Sequence, residues 1–434
     1  MLKAVILIGG PQKGTRFRPL SLEMPKHLFP VAGYPIIHHL IESCIKVSEL
    51  REILLIGSYQ PNEALSRFIA NAQQSFNISI RYLQEYTSLG TAGGIYHFRD
   101  LIKSNLSESF FVINGDICGD LPLTQMLEFH RQHVGGKGFT ILGTEATEKQ
   151  SCNYGCIAWD KKTNEVKHYV EKPETFVSTT ISCGVFLFSK GIFQILSDTY
   201  KKNQQIYKDE CSSEPSFLIN DVTRYETREC IRLEKDVIAK LAGTGQLFIY
   251  PMSDKFWSSI KSAGSVIYAN RHYLEMYRMY YPERLAINSD VKNTPTIIGD
   301  VFIHPTACVA PSAVLGPNVS IGHDVSVGTG VRIRESIILG NCVLQDHCCV
   351  LYSIIGWNST IGPWTRVEGT PSDPDPNKQF SKIEQDSLFH DGKLHPSITV
   401  IGNNVSVPGE VILLNAIVLP HKELGSSSKN QIIL

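Results

Sequence analysis

Aliphatic side chains recur every six residues along the C-terminal third of the chain, at Ile303, Val309, Leu315, Ile321, Val327, Ile333 and Leu339. A small or aliphatic residue follows each one four places later, at Ala307, Ala313, Val319, Val325, Val331, Ile337 and Val343. Glycine comes directly after the first aliphatic at Gly316, Gly322, Gly328 and Gly340. A period of six belongs to a parallel β-helix, in which each hexad supplies one short strand and one turn and the aliphatics stack into a continuous core. The phase shifts after Leu351 and resumes at Ile355–Gly356, Ile361–Gly362 and Val367, then at Ile401–Gly402, Val407 and Leu413. The repeat predicts a solenoid over residues 297–434, interrupted over 369–397, where Pro371, Pro374 and Pro376 forbid regular structure. Insertions of this kind project from one face of a solenoid and often carry function. Pro371, Asp373, Leu388 and Phe389 are the candidate regulatory residues of this one. The competing expectation is an ornament without a role.

A chain of 434 residues exceeds one ordinary domain. Residues 1–262 read as α/β. Strands are predicted at Lys3–Ile8, Glu52–Ile56, Ser79–Gln84 and Phe110–Ile113, with helices at Ile36–Lys46, Glu63–Gln74 and Gly94–Leu101 between them. This alternation predicts a mostly parallel, Rossmann-like sheet covered on both faces. Ligands of such sheets sit at the carboxyl ends of the strands, so the loops after Ile8, Gln84 and Ile113 converge on one site. Residues 198–232 are polar, with little periodicity, and read in part as a surface insertion. The aromatic stretch Ser265–Arg284 reads as helical, which makes residues 263–296 a linker region.

Lys and Arg number 41 against 42 Asp and Glu, a net charge of −1. That balance disfavours a nucleic-acid binder with a broad basic surface and a polybasic membrane anchor alike. No apolar run reaches membrane length. Eleven cysteines without CxxC pairs or zinc spacing read as reduced thiols, which predicts a cytoplasmic protein.

Gly9–Gly10–Pro11–Gln12–Lys13–Gly14–Thr15–Arg16 follows the first strand. Its amides could wrap phosphate oxygens, but Thr15–Arg16 stands where a P-loop requires Lys–Ser/Thr. The longer string GGPQKGTRFRPLSLEMPKHLFPVAGYPII is more specific. It resembles the signature of the sugar nucleotidyltransferases, and four more blocks agree in order: Glu85 with Leu89–Gly93, Asn114–Gly115–Asp116, Tyr154–Gly155, and Val170–Pro173. Together with the hexapeptide tail, the resemblance covers nearly the whole chain. It is strongest to the GDP-mannose pyrophosphorylases, also called mannose-1-phosphate guanylyltransferases, and to their alpha-type members. The resemblance implies a left-handed β-helix.

In that family a sugar-1-phosphate oxygen attacks the α-phosphorus of a nucleoside triphosphate and pyrophosphate leaves. Catalysis of this kind is mostly positioning and charge neutralisation. The resemblance assigns Gly9, Gly10 and Arg16 to the triphosphate and Lys26 to phosphate charge. It gives Glu85, Gly90, Thr91 and Ala92 to the base and ribose, and Asp116, beside Asn114, to Mg²⁺. Glu171 and Lys172 fall to the sugar and its phosphate, and Gly155 and Gln246 join the same nucleotide-sugar set.

Three departures stand out. Three residues, Pro11–Lys13, separate the glycines where the family has one. Ser259 replaces the second Mg²⁺ carboxylate, which weakens the metal's hold, and Lys261 stands close by. Ser182 replaces a sugar-facing Asn. The resemblance therefore implies a regulatory subunit that binds GDP-mannose, self-associates, and joins a catalytic beta-type subunit to mediate its feedback inhibition. An active guanylyltransferase stays open as an alternative. So do an exchange-factor subunit of translation initiation, which shares the two-domain plan, and a hexapeptide acyltransferase using His304, His323 or His347.

Overall fold

The computed structural model describes residues 1–10, 17–106, 108–212, 230–253, 255–288, 294–370, 389–390, 393–394 and 398–434, without the side chains of 137, 206–212, 389–390 and 393–394. They fall into two units: the described residues of 1–13 and 37–257 form the first, and those of 14–36 and 258–434 the second. No helix of the described residues is long and apolar enough to cross a membrane.

The first unit is built on nine strands: β1 (Leu2–Gly9), β2 (Leu50–Gly57), β3 (Ser79–Gln84), β4 (Ser109–Asn114), β5 (Phe139–Glu145), β6 (Gly155–Trp159), β7 (Val166–Glu171), β8 (Thr180–Ser189) and β9 (Leu247–Pro251). β4, β1, β2 and β3 lie side by side and parallel, as the alternating pattern predicts. The other half of the sheet is mixed. β8 runs antiparallel to both β4 and β5, β9 is parallel to β5, and β6 and β7 form an antiparallel hairpin. β1, β2 and β4 are buried on both faces and read as nearly continuous apolar runs, whereas β3, at the edge of the sheet, exposes Ser79 and Arg81. Lys3 is the exception within β1. Its ammonium is buried but meets Glu52 at 2.8 Å and the Leu101 carbonyl at 2.9 Å, so the charge is compensated.

The stretch beginning at Asp198 is not simply an insertion. Helix Ile192–Ser212 runs through it, burying Ile192, Leu196 and Thr199 and setting Tyr200 against Tyr96 at 5.1 Å. Residues 213–229 lie outside the described set.

The second unit is a solenoid of three parallel sheets, one strand from each per coil. Val301 pairs with Val319 and Ile303 with Ile321, an eighteen-residue coil. The next coils are seventeen residues long: Ile321 pairs with Ile338, and Ile338 with Ile355. The phase therefore slips once before Leu339 as well as again between Val350 and Ile355, and Ile338, not Leu339, stands in the core column with Ile321 and Ile355. Glu335, with φ of +47°, makes the shortened corner there. Other corners are turned by left-handed residues such as Asn318, Asn341 and Asn358, a conformation that Asn adopts more readily than most side chains.

Residues 14–36 fall within the span read as one nucleotidyltransferase-like domain over 1–262, yet by their contacts they group with the solenoid. The described part of this segment is held within the second unit. Phe29 meets Trp357 edge-on at 5.8 Å and Tyr34 leans on Phe302 at 5.9 Å. The Asn403 amide donates to Glu23 at 2.8 Å, and His421 Nε2 lies 2.6 Å from the same carboxylate. Helix Ala263–Tyr280 completes the clamp. Buried Asn270 accepts from the Ala32 N–H at 2.8 Å and from the Ser320 hydroxyl at 2.6 Å, and donates to the Asn318 carbonyl at 3.3 Å. Arg271 pairs with Glu335 at 3.2 Å, on the shortened corner.

Candidate functional site

Three backbone hydrogen bonds cinch the strand ends at the carboxyl edge of the sheet. Ser58 donates to the Gly9 carbonyl at 2.8 Å, Glu85 to Gly57 at 2.8 Å, and Gly115 to Leu7 at 2.8 Å. The loops after Gly9, Gln84 and Asn114 thus start from one edge, where an open α/β sheet binds its ligands.

Glu85 stands just past β3, and its carboxylate lies where a Cβ on Gly94 would be, so a larger residue at that position of the helix Gly90–His97 would have to displace it. Gly90 opens this helix at φ +77°, and a Cβ there would meet the Ile231 carbonyl at 2.6 Å. The turn is stitched to the segment beyond it. Ala92 donates to the Ile231 carbonyl at 2.9 Å, Ile231 to the Leu89 carbonyl at 2.9 Å, and Leu233 to the Thr91 hydroxyl oxygen at 2.7 Å. The Thr91 hydroxyl in turn donates to Glu234 at 3.2 Å.

Glu234 also hydrogen-bonds Asn114, at the end of β4, and lies within electrostatic reach of Glu171. Burial raises its pKa; the Glu171 charge adds to this, while its own backbone N–H, Thr91 and Asn114 oppose it. Glu171 ends β7 opposite Gly155 and accepts from the Tyr169 hydroxyl at 2.9 Å. Burial holds that phenol well above its usual range, helped by the charges of Glu171 and Glu234, so it is a permanent donor. Ser182 also hydrogen-bonds Tyr169. Tyr154 is pushed up to about 12, first by burial and then by Cys118 and Asp116. Lys172 adopts φ of +49° and holds its exposed ammonium 3.8 Å from Glu171.

The structure therefore gathers Glu85, the Gly90–Ala92 turn, Asn114, Asp116, Gly155 and Glu171 at one end of the first unit, with Gly9 and Gly10 at the same edge. Glu234 belongs with them and escaped the sequence reading. Gln246 does not. It is exposed at the amino end of β9, which runs parallel to β5, so the strand directions put it at the opposite edge. Lys26 lies buried in the turn Lys26–Leu28, its ammonium 5.9 Å from the Phe17 ring centroid, and groups with the second unit. Ser259 ends the buried strand Trp257–Ser259 and groups there too. Within the first unit, Trp257 donates to the Cys183 carbonyl at 2.9 Å and packs edge-on against Tyr154 at 5.5 Å.

Arg16, Pro371, Asp373 and Leu388 lie outside the described residues. Phe389 starts a two-residue strand paired with Lys393–Leu394. Of the solenoid histidines, His323 bonds Asp324 at 3.1 Å and faces His304 with ring centres 6.1 Å apart, while His347 stacks on Trp364 at 4.3 Å.

Chemically, the cluster is a set of carboxylates, a phenol and an amide that accepts from and donates to hydroxyls. It is suited to a polyol rather than to a second anion.

The nucleotidyl transferase family model matches residues 3–275, and the GMPPB C-terminal domain model matches residues 297–433. The chain is 60% identical to the mannose-1-phosphate guanylyltransferase regulatory subunit alpha of Xenopus tropicalis, 59% to regulatory subunit alpha-A of Danio rerio, and 57% to regulatory subunit alpha of Rattus norvegicus. Each match covers 100% of both chains. Among solved structures, a putative glucose-1-phosphate thymidylyltransferase from Bacillus anthracis aligns with 62% of this chain and 94% of that one, at 20% identity and a TM-score of 0.48. A nucleotidyl transferase fold whose strand-end loops meet at one sheet edge, a hexapeptide solenoid later in the chain, and full-length identity near 60% lead to one assignment: the chain belongs to the nucleotidyl transferase family, in the group of mannose-1-phosphate guanylyltransferase alpha subunits.

Proposed function

We propose that this chain is the regulatory subunit of a mannose-1-phosphate guanylyltransferase complex. It binds GDP-mannose in its first unit and conveys the bound state to a catalytic partner subunit, without turnover of its own. The observation that carries this reading is the contrast between what is kept and what is lost. Apart from Ser182 in place of a sugar-facing Asn, the base and sugar elements are kept: Glu85 against Gly94, the Gly90 turn, and Glu171 with its Tyr169 donor. The metal pair is not, because a buried Ser259 hydroxyl stands where the resemblance calls for a carboxylate.

Mg²⁺ is held by one or two carboxylates together with substrate phosphates. Asp116 alone remains of the expected pair, so Mg²⁺ would be held more weakly, by that carboxylate and the ligand's phosphates, and no step of the proposed role uses one. The protein's residues bind and orient. The strand edge at Gly9 and Gly10 takes the phosphates, Glu85 accepts from the base or ribose, and Glu171 and Tyr169 engage sugar hydroxyls. The relatives' names as regulatory subunits agree with binding uncoupled from chemistry.

The test is a purified-chain assay with GTP, mannose-1-phosphate and Mg²⁺, run beside a GDP-mannose titration. Binding without pyrophosphate release is the expected result. Ser259→Asp alone should not restore full turnover, because the glycine loop also carries two extra residues and a misplacement of ~1 Å can cost ~10²-fold in rate. Robust Mg²⁺-dependent pyrophosphate release by the wild-type chain would overturn the reading in favour of an active guanylyltransferase.

A further inference from the structure

We propose that Glu234 sets the sugar specificity of this site by hydrogen-bonding a hydroxyl of the hexose of a nucleoside-diphosphate sugar. This rests on the nucleotide-sugar reading above and deepens it. Glu234 follows a long polar stretch, and 142 residues separate it from the turn that holds it, yet the fold builds it into the centre of the cluster. Thr91 donates to its carboxyl group at 3.2 Å from the Gly90–Ala92 turn, and the Leu233 N–H fixes that same hydroxyl at 2.7 Å. Asn114 bonds it from the end of β4. Ala92 and Leu89 hold Ile231 by two further backbone bonds of 2.9 Å, so the segment Ile231–Glu234 cannot move independently of the turn.

The ligand chemistry follows from the neighbours. Glu171 and Glu234 lie close enough to feel each other's charge, and Tyr169 feels both. Two carboxyl groups side by side repel a phosphate, so the diphosphate belongs at the Gly9 edge and a neutral polyol belongs here. A carboxyl group offers about four lone-pair directions, and Thr91, Asn114 and the residue's own backbone N–H use three of them. The remaining direction suits a sugar hydroxyl, from which the carboxyl oxygen accepts. A site built to bond a hydroxyl discriminates strongly against a ligand that lacks it. Glu234 is thus a specificity residue placed where the turn for the nucleoside meets the sugar-facing strand end.

The experiment is calorimetric titration of the full chain with GDP-mannose and, separately, with GDP, in wild type, Glu234→Ala and Glu234→Gln. The expected result is a GDP-mannose affinity reduced by about 10- to 100-fold in Glu234→Ala. GDP affinity should stay within about threefold, and Glu234→Gln should recover part of the loss because it keeps an acceptor. If Glu234→Ala does not fold, Glu234→Asp, which withdraws the carboxyl group by one methylene, gives the same comparison. Equal losses for GDP and GDP-mannose would assign Glu234 a purely structural role and overturn the proposal, as would no loss for either. If wild type binds neither ligand, the nucleotide-sugar reading itself fails; if it binds both and the mutant ratio is unchanged, only the role of Glu234 fails.

Discussion

Asn270→Ala should destabilise the second unit well beyond an ordinary surface change. The side chain is 1% exposed and joins three pieces of chain: the segment after the glycine loop through Ala32, the helix Ala263–Tyr280 that carries it, and the solenoid through Asn318 and Ser320. Truncation removes all three bonds. The Ser320 hydroxyl can rotate toward another acceptor, so its loss costs little. The buried Ala32 N–H cannot, and an unsatisfied buried donor costs about 1–3 kcal/mol. Adding the weaker Asn318 contact and the small void gives about 2–5 kcal/mol in total. At a urea slope of roughly 2 kcal/mol per M, the midpoint of the solenoid transition falls by about 1–2.5 M. Urea unfolding followed by fluorescence reads this, since Trp357 and Trp364 lie in the second unit. A midpoint within about 0.25 M of wild type would refute the idea that this amide ties the motif segment to the β-helix.

Acid should weaken the first unit through His130. Burial lowers its pKa to about 4, its Nδ1 lies 2.8 Å from Thr140, and its Nε2 has no partner among the described residues. The unfolded chain takes up the proton near pH 6.5 and the folded chain only near 4, so stability is complete above 6.5 and falls between the two values, by about 2 kcal/mol at pH 5. His130→Gln, which keeps a partner for Thr140 but does not titrate, should flatten that part of the pH profile; an unchanged slope in urea melts at pH 7.5 and 5.0 would contradict it. Glu85→Ala should weaken GDP-mannose binding by about 1–3 kcal/mol in calorimetry if a charge-assisted bond is lost, and unchanged affinity would remove Glu85 from the site. Replacing residues 370–396 with a short Gly/Ser linker should leave assembly with the catalytic partner intact and abolish inhibition in response to GDP-mannose, with a coupling of about 1–3 kcal/mol removed. Full inhibition in such a complex would make the insertion an ornament.

Much of the solenoid was legible because the six-residue columns are largely aliphatic, with buried Ser336, Cys342, Cys348 and Ser353 among the exceptions, and many turns carry Gly, Asn or Asp. The slip before Leu339 was hidden because Ile337, Ile338 and Leu339 are all aliphatic, and only the ladder to Ile321 and Ile355 decides which one points inward. The strand-end loops were legible from local pattern and motif order. Glu234 was not, since its meaning comes from Thr91 and Asn114, far away in the chain. The place of residues 14–36 was hidden for the same reason: Asn270, Trp357, Asn403 and His421 are each unremarkable in sequence and meet the segment only in three dimensions. Gln246 was misplaced because the direction of β9 is set by its distant partner β5.

The central claim is that a nucleotide-sugar bound to this chain governs a partner's catalysis. It is tested most directly by measuring guanylyltransferase activity of the reconstituted complex across a GDP-mannose titration, with wild-type chain and with Glu85→Ala. Wild type should impose inhibition at GDP-mannose concentrations that leave the catalytic subunit alone unaffected, and Glu85→Ala should shift that inhibition to about 10-fold or more higher concentration. Superimposable curves for the complex with wild-type chain, the complex with Glu85→Ala and the catalytic subunit alone would contradict the account.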